Sequence, residues 1–287
     1  MSTNQTVCRL LIGNELRRSR EHAGYKQDEP AEHLGAKVSK ISRLELGQTR
    51  VTVPEVKMLM EFYEADPAHT RGLLSLARGA NHRGQWDGIR ASLPNWFNTY
   101  VDLETEAEEI RWVQAEVIPG ILQTEDYIRA VHAEALAASE DPAAIEDQIT
   151  NRVDRQQVLH TERPPQVSFV LSESCLRREF GGSRVMKAQL HHLGEMAELH
   201  NVQIQVLPYR AKTAVPGAAF GFTLLTIGAP GITSSLEIAY VETLADASFI
   251  DHKDHVRKYV DQWRRLTAAA LGPAESTEFI REAAEQM

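Results

Sequence analysis

The sequence predicts a multidomain protein, with an all-α N-terminal domain of five short helices ahead of an α+β domain whose sheet has about four strands. Three observations carry this. From Leu10 to about Arg78, apolar residues recur at helical spacing in short runs closed by glycine. The stretch RGANHRGQWDGIRASLPNW then breaks all periodicity. Beyond it, segments rich in Val, Ile, Phe and Tyr alternate with helical ones. The expected division is residues 8–79, a linker at 80–99, and a second domain at 100–287.

The elements are taken in chain order. LLIGNELRRSREHAG sets Leu11, Ile12, Leu16 and Ala23 along one side and stops at Gly24. QDEPAEHLG and VSKISRLELG come next, each ended by a glycine. Pro54 suits the first turn of PEVKMLMEFYEA, and DPAHTRGLLSLAR supplies a fifth helix. In the second domain, YVDLETEAEEIRWVQAEVIPGILQTEDYIRAVHAEAL is expected to be helical, with a break at Pro119-Gly120. DPAAIEDQITNRVDRQQVLHTE is another helix, capped by Asp141 ahead of Pro142. QVSFVLSESCLRR reads as a strand, SRVMKAQLHHLGEMAELH as a helix, and VQIQVLPY, FGFTLLTI and SLEIAYVET as three further strands. HKDHVRKYVDQWRRLTAAAL and PAESTEFIREAAEQM end the chain as helices.

Composition narrows the class. With 43% hydrophobic and 25% charged residues, the chain is ordinarily globular. Cys8 and Cys175 form no CxxC pair and suit reduced thiols in a cytosolic protein. The N-terminus lacks a signal-peptide pattern, and AAFGFTLLTIGAPGI is too interrupted to span a membrane. A soluble cytoplasmic protein, associated with the nucleoid, is expected. The net charge of −9 argues against a surface that grips nucleic acid everywhere. Its distribution is uneven, however. Residues 1–78 hold 12 Lys/Arg against 10 Asp/Glu, and the remainder holds 19 against 30. A small neutral-to-basic domain on an acidic body suits a DNA reader joined to a part that avoids DNA.

The reader would lie in KQDEPAEHLGAKVSKISRLELGQ, two short helices around a tight turn. In such a pair the second helix enters the major groove while the first crosses the backbone. Ala31 is small enough for the helix crossing, and Gly35 supplies the turn. Leu34, Ile41 and Leu44 are the apolar anchors. Val38, Ser39, Ser42 and Arg43 are then left outward as base-reading candidates, Arg43 foremost, because a guanidinium bonds bidentately to guanine O6 and N7. Lys37, Lys40 and Gln27 are the candidates for phosphate. With Lys26 as N-cap, Pro30 falls at the fourth helical position and removes one hydrogen bond. That costs less than the roughly 3 kcal/mol of a mid-helix proline.

LGAKVSKISRLELG resembles the core motif of XRE/Cro-repressor-type helix-turn-helix regulators, which have a lambda-repressor-like fold. YVDLETEAEEIRWVQAEVIPGILQTEDYIRA, SESCLRREFGG, VMKAQLHHLGEMAELHNVQIQVLPY and GFTLLTI resemble the C-terminal domain of actinomycete antitoxin-like regulators, often accompanied by a small partner protein. The likeness departs at Pro30, usually Leu, and at Lys37, commonly a capping Ser or Thr. The missing cap is expected to cost about 1 kcal/mol. The resemblance implies a homodimer on double-stranded DNA, at a palindromic operator with half-sites one helical turn apart.

Other features read more plainly. HHLGEMAELH lacks the zincin order and a third ligand, so a polar helix face is expected and no metal. LSESCLRR has no G-x-S-x-G elbow and REFGGSR no Walker pattern, so neither catalysis nor a cofactor is expected. The aromatics Trp86, Trp96, Tyr100 and Trp112 read first as core or interdomain packing, and second as a ligand pocket for a small-molecule effector. Three functions remain. They are a transcriptional regulator, an adaptor that mainly binds a small partner protein while regulating its own operon, and an enzyme with a residual DNA-binding domain. The first is the expectation, the second its alternative.

Overall fold

The computed structural model describes residues 5–79, 95–135, 142–212, 221–228, 235–243 and 246–287. The described residues form two compact units: the first takes residues 5–79 with 227, 228, 235 and 236, and the second takes the rest. The first holds five helices: α1 (Gln5–His22), α2 (Asp28–His33), α3 (Val38–Glu45), α4 (Val53–Phe62) and α5 (Pro67–Gly79). Their apolar stripes meet in one core containing Leu11, Ile12, Leu16, Ile41, Leu44, Leu59, Met60 and Leu73, each at most 2% exposed. Thr52 and Glu55 close a reciprocal capping box ahead of α4, with Pro54 in its first turn, so the loose amides there are satisfied locally. Gly24, left-handed at φ +81°, ends the first helix as expected, while Ala23 points into solvent.

The second unit begins at α6 (Asn95–Glu106), inside the stretch read as linker. It continues with β1 (Glu109–Gln114), α7 (Glu125–Ala135), α8 (Pro142–Arg155), β2 (Gln166–Ser172), α9 (Glu173–Arg177), α10 (Gly182–Met196) and β3 (Val202–Leu207). Then come β4 (Phe222–Ile227), β5 (Leu236–Glu242), β6 (Ala247–Ile250), α11 (Lys253–Ala269) and α12 (Pro273–Glu285). The expected cap Asp141 lies outside the described residues. No helix among the described residues is long and apolar enough to cross a membrane.

The sheet has six strands in the order β3-β2-β1-β4-β5-β6, where about four were expected. β1 runs parallel to β2 and antiparallel to β4, and β2 runs parallel to β3. The correction at β1 is the larger one. EIRWVQ was expected to be helical, yet it is a central strand with Ile110 and Val113 buried. Its β-branched and aromatic residues fit a pleated surface, but hydrogen bonds to two distant neighbours decide the matter. β6 was missed because four residues at a sheet edge carry little pattern. The QVSFVLSESCLRR strand stops at Ser172, whose hydroxyl accepts the Ser174 amide at 3.2 Å and starts α9.

Helix α11 lays Val256, Trp263 and Leu266 on a cluster with Val113, Val170, Phe222 and Leu224 of the sheet. At the β3 edge, the chain around α12 closes the open backbone. The Val206 amide donates to the Ser276 hydroxyl at 2.9 Å, and the Leu271 amide donates to the Val206 carbonyl at 2.9 Å. A covered edge cannot template further strand addition.

Candidate functional site

Helices α2 and α3 form a helix-turn-helix. Pro30 falls at the third helical position, one earlier than expected, because α2 starts at Asp28 with Gln27 as N-cap. The first helical amides have no intrahelical partner, so the proline sacrifices no hydrogen bond there. Its ring is buried beside Ala31, which is 2% exposed. The Lys26 amide donates to the Glu29 carboxylate at 2.8 Å and ties down the entry to the helix. Gly35, at φ +60°, makes the turn: its amide donates to the Glu32 carbonyl and that of Ala36 to the Ala31 carbonyl.

Helix α3 is held from behind. Ile41 and Leu44 enter the core, and Glu45, only 3% exposed, receives Arg20. The Arg20 Nε and Nη2 donate to the two Glu45 oxygens at 2.6 and 2.9 Å, while Nη1 donates to the Tyr25 carbonyl at 2.8 Å. The same carboxylate accepts the Gln27 amide nitrogen at 2.8 Å. Every strong donor and acceptor of this buried pair is satisfied, the condition under which such a pair is tolerable. Gly13 of α1 completes the clasp, because an added Cβ would meet the Leu44 carbonyl oxygen at 2.5 Å. Only a residue without a side chain lets the two backbones come this close. Residue type alone did not expose the Arg20–Glu45 pair. The signal was the bare fact of an acidic residue on the apolar side of ISRLELG.

The outward face of α3 carries Val38, at 46% exposure, with Ser39 and Arg43 exposed and Ser42 half-buried. Lys37 is exposed and, as N-cap, provides no side-chain hydrogen bond. Two phosphate candidates are engaged within the protein. Gln27 serves Glu45, and Lys40 Nζ donates to Glu55 Oε1 at 2.5 Å. Burial raises the Glu55 carboxyl, but hydrogen bonds from Lys40 and from the Thr52 amide and hydroxyl outweigh it and hold the group below the ordinary glutamate range.

The aromatic candidates separate. Trp86 lies outside the described residues. Trp96 meets Phe97 edge-on at 5.8 Å, and Tyr100 is buried between Trp112 at 6.0 Å and Tyr240 at 4.3 Å. Trp112 lines a cavity in the second unit together with Phe97, Phe222 and Tyr240. His192 faces Glu195 at 3.5 Å, and no group of three or more metal-ligating side chains occurs among the described residues.

The comparisons cover the chain in two parts. Residues 11–73 match a family model described as a helix-turn-helix domain, and residues 97–282 match one described as Domain of unknown function (DUF5753). No curated protein and no solved structure matches. The matched helix-turn-helix places DNA binding in the first unit. The chain belongs to the DUF5753 family, with a helix-turn-helix domain ahead of the family's own domain.

Proposed function

We propose that the protein is a sequence-specific transcriptional regulator of the XRE/Cro type, from the actinomycete antitoxin-like group, acting as a homodimer on a palindromic operator. One observation carries the reading: α3 is anchored by buried Ile41, Leu44 and Glu45 while Val38, Ser39 and Arg43 stand in solvent. A helix so held can enter a major groove without giving up internal contacts. Val38, Ser39, Ser42 and Arg43 read bases, Arg43 bidentately at guanine, and Lys37 meets phosphate. Lys40 and Gln27 reach phosphate only by exchanging Glu55 and Glu45 for it, so they are secondary contacts. The second unit supplies dimerisation or signal input and no catalysis. The Cys175 thiol offers it no nucleophile, since burial first and Glu116 second push it up to about 12, far from a nucleophilic thiolate at neutral pH.

Fluorescence anisotropy against DNA from upstream of the protein's own gene tests the proposal, for the wild type and Arg43→Ala across a salt series. Selective, salt-sensitive binding weakened by about 1–3 kcal/mol in the variant is expected. Affinity no better than for random DNA, and unchanged by the substitution, would refute it. That result would favour the adaptor reading, which a stable complex with a small co-purifying protein would support.

A further inference from the structure

The cavity beside β1 has a volume of about 460 Å³, within the range of small-molecule sites. Phe97, Trp112 and Tyr240 give it flat aromatic walls. Two arginines of α8 also line it, and their circumstances differ. Arg155 is matched: its Nε and Nη2 donate to Glu104 at 2.6 and 3.2 Å, and its guanidinium lies 5.1 Å from the Phe97 ring centre and 5.4 Å from that of Tyr100. Arg152 has no carboxylate within ion-pair distance among the described residues. Its one hydrogen bond there is from Nη1 to the neutral Gln123 oxygen, at 3.1 Å.

That leaves a cation beside another cation in a shielded place. Burial first, and the Arg155 charge second, push the Arg152 guanidinium down to about 10. Glu242 acts on it more weakly; it is exposed at the cavity and accepts the Tyr240 hydroxyl at 3.0 Å. His132 of α7 is the other titratable group that feels Arg152, and burial keeps it toward its neutral form. An uncompensated buried charge is costly unless something pairs with it.

The wall against which this charge lies is firmly braced. Gln189, fully buried, accepts the Thr124 amide at 2.6 Å and donates to the Leu122 carbonyl at 2.7 Å. Gln156 donates to the Gly120 and Gln123 carbonyls at 3.2 and 2.7 Å. The 118–124 segment, and with it the Gln123 side chain that orients Arg152, is thereby locked in place.

We infer that this cavity binds a small organic carboxylate with a flat, aromatic-sized body, its carboxylate on Arg152 and its body against Trp112 and Tyr240. Such a ligand would supply the signal input of the proposed regulator, and only that consequence rests on the regulator reading. Binding itself is measured on the full chain without DNA.

The test is calorimetric titration with phenylacetate, its neutral analogue phenylacetamide, and inorganic phosphate. Wild type binds phenylacetate at least tenfold more tightly than either of the others. Arg152→Gln removes the preference without lowering the unliganded Tm, because it removes a charge with no carboxylate in ion-pair distance among the described residues. Arg152→Lys, the second variant, keeps a cation and retains the preference at reduced affinity. Absence of phenylacetate binding, equal binding of the amide, tighter binding of bare phosphate, or a preference that survives Arg152→Gln would each overturn the inference.

Discussion

Two arginine–glutamate pairs, one in each unit, are built alike and serve different ends. Arg20–Glu45 and Arg155–Glu104 are both buried and both bidentate, with Nε to oxygen distances of 2.6 Å in each. The first is closed. Tyr25 and Gln27 take up what the pair leaves over, and the result fixes a helix whose other face is open to solvent. The Glu45 hydrogen bond raises the Arg20 guanidinium above the ordinary arginine range. In the second, burial works against the Arg155 charge, and the attraction of Glu104 and the Tyr100 ring region reverses it. One helical turn before Arg155, Arg152 has a neutral amide as its partner among the described residues. A saturated pair holds a shape; an unsaturated neighbour marks where something else belongs.

The comparison can be broken most strongly at Glu45. Glu45→Ala strands Arg20 inside the first unit and should destabilise it by about 3–5 kcal/mol, read by chemical denaturation of the full chain. An effect below about 1 kcal/mol would show that the pair is no clasp. Gly13→Ala acts on the same junction. Its Cβ must displace the Leu44 carbonyl, so a loss of about 1–3 kcal/mol in the same measurement is expected.

Smaller effects sharpen the picture. Lys37→Ser places a capping hydroxyl where the backbone already has N-cap geometry, at φ −81° and ψ 150°. It should stabilise α3 by about 1 kcal/mol while DNA affinity falls through the lost cation. A rise in Tm with unchanged anisotropy would remove Lys37 from the phosphate contacts. The smallest effect concerns pH. The Glu55 carboxyl sits below its ordinary value, so its stabilising contribution is complete above about pH 4.5 and is lost as pH falls through the lowered folded value. Acid melting curves should flatten in that window for Glu55→Gln, and curves identical to wild type would show that Lys40 is not held by Glu55.

The first unit was largely legible in sequence because its contacts are local. Glycines ended helices where a left-handed residue was needed, and the i, i+3 spacing of Ile41 and Leu44 defined the outward face containing Arg43. The one-residue shift at Pro30 changed its cost and not the fold. The second unit was legible in part. The β2 to β5 segments were recognisable from their own residues, whereas EIRWVQ lay between a helical run and a Pro-Gly break, and its strand state depends on partners 57 and 109–117 residues away.

The sequence by itself determined the five-helix reader, its exposed helix face, and the acidic α+β character of the second unit. Periodicity, capping and turn chemistry act over a few residues and need no distant partner. Only the tertiary structure decided that β1 is a central strand, that Glu45 closes on Arg20, and that Lys40 and Gln27 are already occupied. It also decided that of two arginines three positions apart one holds a carboxylate and the other, among the described residues, a neutral amide. Charge pairing and sheet position are set by which side chains meet in space, and a lone charged residue carries no mark of its partner.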